Sequence, residues 1–181
     1  RYNSTDTQVL GMLLREAIGI SVTKYMQEVL WNPMGAESNA YWLLDSENME
    51  MVYAGLNATA RDYAKLGELF RLKGKFNGKQ IVPSNWVKSS TTPDAPHLMP
   101  NAGELSSNDW GYGYQWWVPG DPLTDYTAHG VYNQFIYVDP ESGIVIAKTS
   151  SNHRFRSEKE YTKAAHIAMF RSIAQHIKQQ Q

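Results

Sequence analysis

The sequence predicts an α+β fold in which an antiparallel sheet is flanked by helices. Three features predict it. Apolar residues recur at helical spacing from Thr5 to about Trp86, the period changes from 3.6 to 2 at Gly111, and a long helical pattern returns over residues 158–178. Helices first, then a strand meander, then a covering helix is an α+β layout, with no internal repeat and no linker to divide it.

Taken in order, residues 5–18 place Val9, Leu10, Leu13, Leu14, Ala17 and Ile18 on one face, with Ser4, Thr5 or Asp6 available as N-cap and Gly19 as the stop. Ser21 can cap a second helix whose buried face is Val22, Tyr25, Met26, Val29 and Leu30, and Asn32-Pro33-Met34-Gly35 breaks it. A third helix is expected from about Thr59, where Thr59 and Asp62 have capping-box spacing with Asp in place of Glu. Gly74 stands where a left-handed C-terminal residue belongs. Asn77-Gly78 between two short extended runs predicts a hairpin, and Pro83-Ser84 leads into a short helix around Trp86. Residues 91–109, rich in Pro, Asn, Ser and Asp, make an irregular loop long enough to point to function or disorder. Residues 112–118, 126–129, 134–139 and 144–149 then read as successive strands, the last two joined by Asp139-Pro140-Glu141-Ser142-Gly143, a turn in which Pro presets φ and Gly supplies a positive one. The closing helix is expected to turn Tyr161, Ala165, Ala168, Met169, Ser172 and Ile173 inward.

Composition removes whole classes of function. A formal net charge of −1 with scattered Lys and Arg leaves no electrostatic footprint for nucleic acid or an anionic membrane. No apolar run approaches the roughly 20 residues that span a bilayer. The absence of cysteine rules out disulfides, thiolate zinc sites and a Cys nucleophile, and the five His do not pair at metal-ligand spacing, so neither metal nor cofactor is expected. There is no Gly-x-Ser-x-Gly elbow, no phosphate loop and no Gly-x-Gly-x-x-Gly. The unusual quantity is aromatic: 6 Trp and 11 Tyr, enough to fill a core or line a substrate cleft.

Two places carry candidate chemistry. Tyr2, just before the first helix, is either a packing residue or a phenol that passes a proton to and from a serine nucleophile, a role that needs a nearby Lys. Ser4 can hold a hydrogen bond beside it or cap the helix. The second place is Thr127-Ala128-His129-Gly130-Val131, where Gly130 either forms a plain turn or lets a substrate approach the backbone, so that the Val131 N–H points at a developing oxyanion. His129 alone is a structural histidine or a substrate contact. Ser21-Val22-Thr23-Lys24 matches the Ser-x-x-Lys pattern of an acylating serine with a lysine base. It is a decoy, because the apolar set around Val22 faces inward and leaves Ser21 and Lys24 solvated, where Ser21 is an ordinary cap and an exposed ammonium is a poor base.

Five stretches in order, Tyr2–Gly11, Glu28–Gly35, Ala54–Ala64, Gly111–Trp117 and His129–Pro140, resemble the serine β-lactamase and penicillin-recognising superfamily. They lie nearest its class C-like branch of esterases, D-alanyl-D-alanine peptidases and 6-aminohexanoate-dimer hydrolases. The resemblance implies a β-lactamase/transpeptidase-like fold, incomplete at the N-terminus, with residues 1–181 forming the C-terminal portion of one domain, mostly helical over 1–110 and sheet plus helix over 111–181. It implies three motifs: Ser-x-x-Lys, a Tyr-x-Asn or Tyr-x-Ser, and a Lys-Thr-Gly-like triad. Tyr2-Asn3-Ser4 matches the second, Ala128-His129-Gly130 stands where the third belongs, and the first has no counterpart. It also places Tyr53 in a stretch that lines the substrate groove of relatives. Ala-His-Gly lacks the cation and hydroxyl that hold a β-lactam carboxylate, which favours amide or ester hydrolysis. The chain is therefore expected to be the back portion of a serine hydrolase for a small amide or ester, inactive alone, whose partners are that substrate and the missing N-terminal portion. The alternative is a non-catalytic module that binds carbohydrate or cell-wall fragments on a face formed by Tyr112, Tyr114, Trp116 and Trp117.

Overall fold

In the computed structural model, which describes residues 2–106, 108–120 and 124–180, helices precede an antiparallel sheet as expected. Ser107, inside the expected 91–109 loop, lies outside the described residues.

Helix α1 (Ser4–Ile18) starts at Asn3, whose side-chain oxygen accepts from the Thr5 N–H and whose amide donates to Asp6. The cap is thus one residue before the expected candidates, because only Asn3 keeps extended backbone. Gly19 closes the helix in left-handed conformation, φ 68°. The expected buried face is not the buried one. Val9, Leu10 and Leu13 are exposed, and the packed side carries Gln8 and Gly11 instead. Gln8 donates to the Glu50 carbonyl and accepts from the Val52 N–H, and a Cβ on Gly11 would lie 2.4 Å from Val52. Long-range polar contacts chose the face, against the apolar pattern.

Helix α2 (Val22–Met26) is capped by Ser21 and runs into a π-helical turn, Gln27–Trp31, before the Pro33 break. The wider turn carries Val29 outward, while Trp31 and Met34 pack against Leu69. Two short strands, β1 (Tyr41–Trp42) and β2 (Leu56–Asn57), pair across a loop that holds Glu50 and Tyr53. Helix α3 (Ala60–Arg71) begins at Thr59, which accepts from the Asp62 N–H and donates to the Asp62 carboxylate. Asp62 is fully buried and also accepts from the Glu37 N–H, so it ties the 32–40 loop to α3. Burial opposes its charge, but those donors and Lys65 outweigh burial and hold the carboxyl below the usual range. Strands β3 (Lys75–Phe76) and β4 (Lys79–Gln80) form the Asn77-Gly78 hairpin, and α4 (Ser84–Thr91) follows.

The main sheet has the order β5 (Gly111–Tyr112), β6 (Trp117–Val118), β7 (Tyr126–Gly130), β8 (Gln134–Asp139) and β9 (Ile144–Lys148), all antiparallel. Residues 112–118 are not one strand. Gly113 lies against α4, where a Cβ would fall 1.9 Å from the Ser90 carbonyl oxygen, and Gln115 is left-handed, so the run folds back as a hairpin. Ile136, Val138 and Val145 face α3, while Phe135, Tyr137 and Ile146 face α5 (Lys159–Lys178). The layers are helix, sheet, helix. On α5 the buried line is Lys163, Ile167, Phe170 and Ala174, and Tyr161, Met169 and Ile173 point to solvent. The inward face expected for this helix is therefore corrected by about a quarter turn or more, because Phe170 fits between Phe135 and Tyr137. Among the described residues no helix is long and apolar enough to cross a membrane.

Candidate active site

A cleft of about 700 Å³ opens between the start of α1, the 97–110 loop and the β5–β6 hairpin. Tyr2, Asp6 and Leu10 form one wall, Glu104, Leu105 and Asn108 the other, and Trp110, Tyr112 and Trp117 the aromatic floor. The hairpin is tied to α1 by Gln115, whose side-chain amide donates to the Thr7 hydroxyl at 3.2 Å. The irregular loop singled out by composition thus supplies one side of this cleft.

Tyr2 is half exposed at this cleft, held edge-on to Tyr112 with centroids 5.8 Å apart and against Trp117 at 5.4 Å. Burial and the neighbouring Tyr2 push the Tyr112 phenol well above its usual range, so Tyr112 stays protonated and acts as floor. No lysine or arginine lines the cleft among the described residues. Ser4 is the first residue of α1, half-buried beside the cap.

His129 lies near the end of β7, and its ring turns toward α5. It stacks on Phe135 with centroids 4.5 Å apart and meets Trp110 edge-on at 6.1 Å. Trp110 contacts Trp117, and Trp117 contacts Tyr2, so one aromatic run connects Tyr2 with the end of β7. Burial, with Lys163, Lys159 and His166 nearby, lowers the His129 pKa to about 4, against a hydrogen bond with Asn133 that raises it. The imidazole is neutral at pH 7. Gly130 has ordinary extended backbone, φ −107°, and is exposed; Val131 opens a short 3-10 turn over Val131–Asn133. His129, Gly130, Val131 and Tyr53 all stand outside the lining of the cleft. Tyr53 is partly exposed on the loop between β1 and β2.

Sequence reasoning missed Trp110, Asp6 and Glu104 as cleft residues. Spacing held no signal for them, because they converge from α1 and a loop about a hundred positions away. The expected aromatic face does not exist as a surface: Trp116 packs in the core under α3, Trp117 and Tyr112 are half-buried, and Tyr114 alone is exposed, beside Trp86. The hairpin fold of residues 111–118 is the reason. Ser21 is spent as a cap, accepting from the Lys24 N–H at 3.1 Å. No group of three or more His, Asp or Glu among the described residues could hold a metal ion.

The β-lactamase family model matches residues 1–168. The chain belongs to the β-lactamase family. It is 28% identical over 152 residues to the 6-aminohexanoate-dimer hydrolase of Paenarthrobacter ureafaciens, a match that takes in 83% of this chain and 39% of that protein. A Bacillus anthracis protein described as a candidate 6-aminohexanoate-dimer hydrolase superposes with TM-score 0.88 at 33% identity, over 99% of this chain and 44% of that one. A candidate β-lactamase of Bacteroides dorei shares the fold at TM-score 0.61 and 15% identity, over 85% of this chain and 52% of that one. This β-lactamase-family chain thus spans about two fifths of the length of these two hydrolase relatives. The fold and family inferred from five short stretches stand.

Proposed function

We propose that this chain is the C-terminal part of a serine hydrolase that cleaves a small amide or ester through an acyl-enzyme. The nucleophilic serine and its lysine come from a Ser-x-x-Lys segment outside these residues. Serine Oγ attacks the carbonyl carbon while its proton passes to the lysine–Tyr2 pair. The oxyanion is met by the N–H groups of Val131 and of the serine. Collapse breaks the C–N or C–O bond and returns the proton to the leaving group, and water then releases the acid by the same route. Tyr53, Ser4, His129 and Gly130 belong to the substrate side of this reading.

The observation that carries it is Tyr2 at the edge of the cleft, joined by one aromatic run to the strand that ends at Gly130, one residue before Val131. Ala128-His129-Gly130 offers no lysine or arginine for a substrate carboxylate, and none lines the cleft among the described residues, which supports an amide or ester over a β-lactam. Ser21, occupied as a cap, supports a nucleophile from elsewhere.

The test is a p-nitrophenyl ester given to the natural gene product. A serine-linked acyl adduct by mass spectrometry and a fall in kcat of about 10²–10⁴ for Tyr2→Phe are expected. The 181 residues alone should give no acylation burst. Unchanged kcat in Tyr2→Phe, or a burst from the short chain, would sink the reading.

A further inference from the structure

Tyr2 is seated by ring contacts. Its centroid lies 5.8 Å from that of Tyr112 and 5.4 Å from that of Trp117, the two residues paired at the base of the β5–β6 hairpin. Burial against rings sets a separation but fixes an angle weakly, because the hydrophobic effect has no direction. Further along α1 a directional tie joins the same two elements. The Gln115 side-chain amide donates to the Thr7 hydroxyl at 3.2 Å, across 108 positions of sequence, and both residues line the cleft.

Gln115 stands at the hairpin tip in left-handed conformation, φ 68°. Its neighbours impose this. The Gly113 N–H donates to the Trp116 carbonyl at 2.8 Å, the Tyr114 N–H donates to the Ser90 carbonyl on α4 at 3.0 Å, and Trp116 is held in the core. Gln115 is the residue left to close the turn. Glycine or asparagine takes that conformation at lower cost. Glutamine adds an amide long enough to cross to α1, and its exposure means that burial is not what it gains there. A strained backbone carrying a contact between two walls of a cleft points to function.

On its other side α1 is tied by Gln8, which donates to the Glu50 carbonyl and accepts from the Val52 N–H. Adjacent residues thus fasten α1 in two directions, Gln8 to the 50–52 segment and Thr7 to the hairpin. Of these ties, the Thr7 bond is the one that reaches the hairpin on which Tyr2 rests.

We propose that Gln115 is a positioning residue: its amide on the Thr7 hydroxyl clamps the β5–β6 hairpin to α1 and so sets the angle at which Tyr2 presents its phenol to the cleft. This rests on the acyl-enzyme reading above, in which that phenol moves a proton to and from the serine. A proton shuttle that must be reoriented before each transfer loses rate, not substrate affinity.

The experiment uses the natural gene product, steady-state hydrolysis of p-nitrophenyl acetate, thermal melts, and hydrogen exchange across residues 3–10. Gln115→Gly permits the left-handed backbone and removes the amide. It should lower kcat about 3- to 10-fold, the size that one neutral hydrogen bond supplies, with KM within about twofold and the melting midpoint within about 2 °C. Exchange over residues 3–10, where nothing has been substituted, should quicken about threefold or more. Thr7→Val should follow Gln115→Gly, and Thr7→Ser, which keeps the hydroxyl, should recover most of the loss. On a Tyr2→Phe background Gln115→Gly should lower kcat no further, since it acts through Tyr2. If Gln115→Gly does not fold, Gln115→Asn decides on the same readings, because asparagine tolerates the conformation and is one methylene short of Thr7. Unchanged kcat in Gln115→Gly, a fall that persists in full on Tyr2→Phe, a rise in KM alone, or Thr7→Ser as slow as Thr7→Val overturns the proposal. Should wild type form no acyl-enzyme, the reaction scheme fails by itself. Exchange then decides the clamp: an unchanged rate over residues 3–10 in Gln115→Gly overturns it, and the threefold rise upholds it.

Discussion

The imidazole of His129 lies nearly parallel to the ring of Phe135, 20° between planes, and is therefore part of the layer that α5 covers. Lys163 and Lys159 from α5 place positive charge near it, with His166 beyond Phe135 and Trp110 at its edge. The folded state therefore binds the His129 proton only near pH 4, against about 6.5 unfolded. A depressed base contributes stability that is complete above the unfolded value and is lost as pH falls toward the folded one. Between pH 7 and pH 5 the loss should be about 2 kcal/mol from this group, read from urea midpoints, and His129→Phe should remove that part of the slope.

Gly67 should not accept alanine. In an exposed helix that change gains about 1 kcal/mol. Here a Cβ would stand 2.7 Å from Val145 Cγ1 and 2.8 Å from Ile136 Cγ2, so α3 must lift off the sheet. Overpacking of this kind costs about 1–3 kcal/mol, and Gly67→Ala should lower the melting midpoint. A raised midpoint would mean that α3 and β9 pack less closely than this.

Asp125 holds three elements at once. It accepts from the Tyr137 hydroxyl at 2.8 Å and from both Nε and Nη2 of Arg171, at 2.7 and 2.9 Å. The carboxylate is buried and the guanidinium half-buried, so removing the acid takes the charged partner from Arg171, which keeps the Gly120 carbonyl, and removes the acceptor of the Tyr137 hydroxyl. Asp125→Ala should cost about 3–5 kcal/mol and Tyr137→Phe about 1.5–3, with the double variant costing less than the sum. Additive losses in a denaturant series would break the network reading.

What was legible in the sequence was what local chemistry decides. Thr59, Ser21, Gly19 and Asn77-Gly78 each fix the backbone within a few residues of themselves, and each was found in its expected role. The strands 126–130, 134–139 and 144–148 were legible because their alternation is set by two covered faces. Which face of a helix packs was not. Apolar spacing on α1 and α5 identifies an apolar stripe, but burial went to Gly11 with Gln8 on one and to Phe170 with Lys163 on the other. Lys163 is buried because its ammonium sits over the Trp110 ring at 4.5 Å, a pairing between residues far apart in sequence. Glu50 was equally invisible: burial opposes its charge, yet the Thr23 hydroxyl and N–H and the Arg15 charge hold its carboxyl below the usual range. Of the candidate site, Tyr2 was legible beside its cleft, while the cleft itself needed the hairpin turn that alternation concealed.

The α1 stripe yields the last prediction. Leu10 and Leu13 are 60% and 61% exposed, with Val9 and Met12 open beside them, and Leu10 also lines the cleft. A contiguous patch of this kind on a monomer promotes association, and β9, with its apolar run Ile144–Ala147, has no strand on its outer edge among the described residues. The 181-residue chain should therefore bind a hydrophobic dye and self-associate, with a low, concentration-dependent melting midpoint. Leu13→Ala separates the causes. In the short chain it should change stability by less than about 0.5 kcal/mol, because an exposed leucine loses little and alanine favours the helix. In the natural gene product, a further segment seated on α1 would make the same substitution cost about 2–5 kcal/mol. Small, equal effects in both proteins would mean that nothing covers α1, and the nucleophile could not then reach Tyr2 from that side.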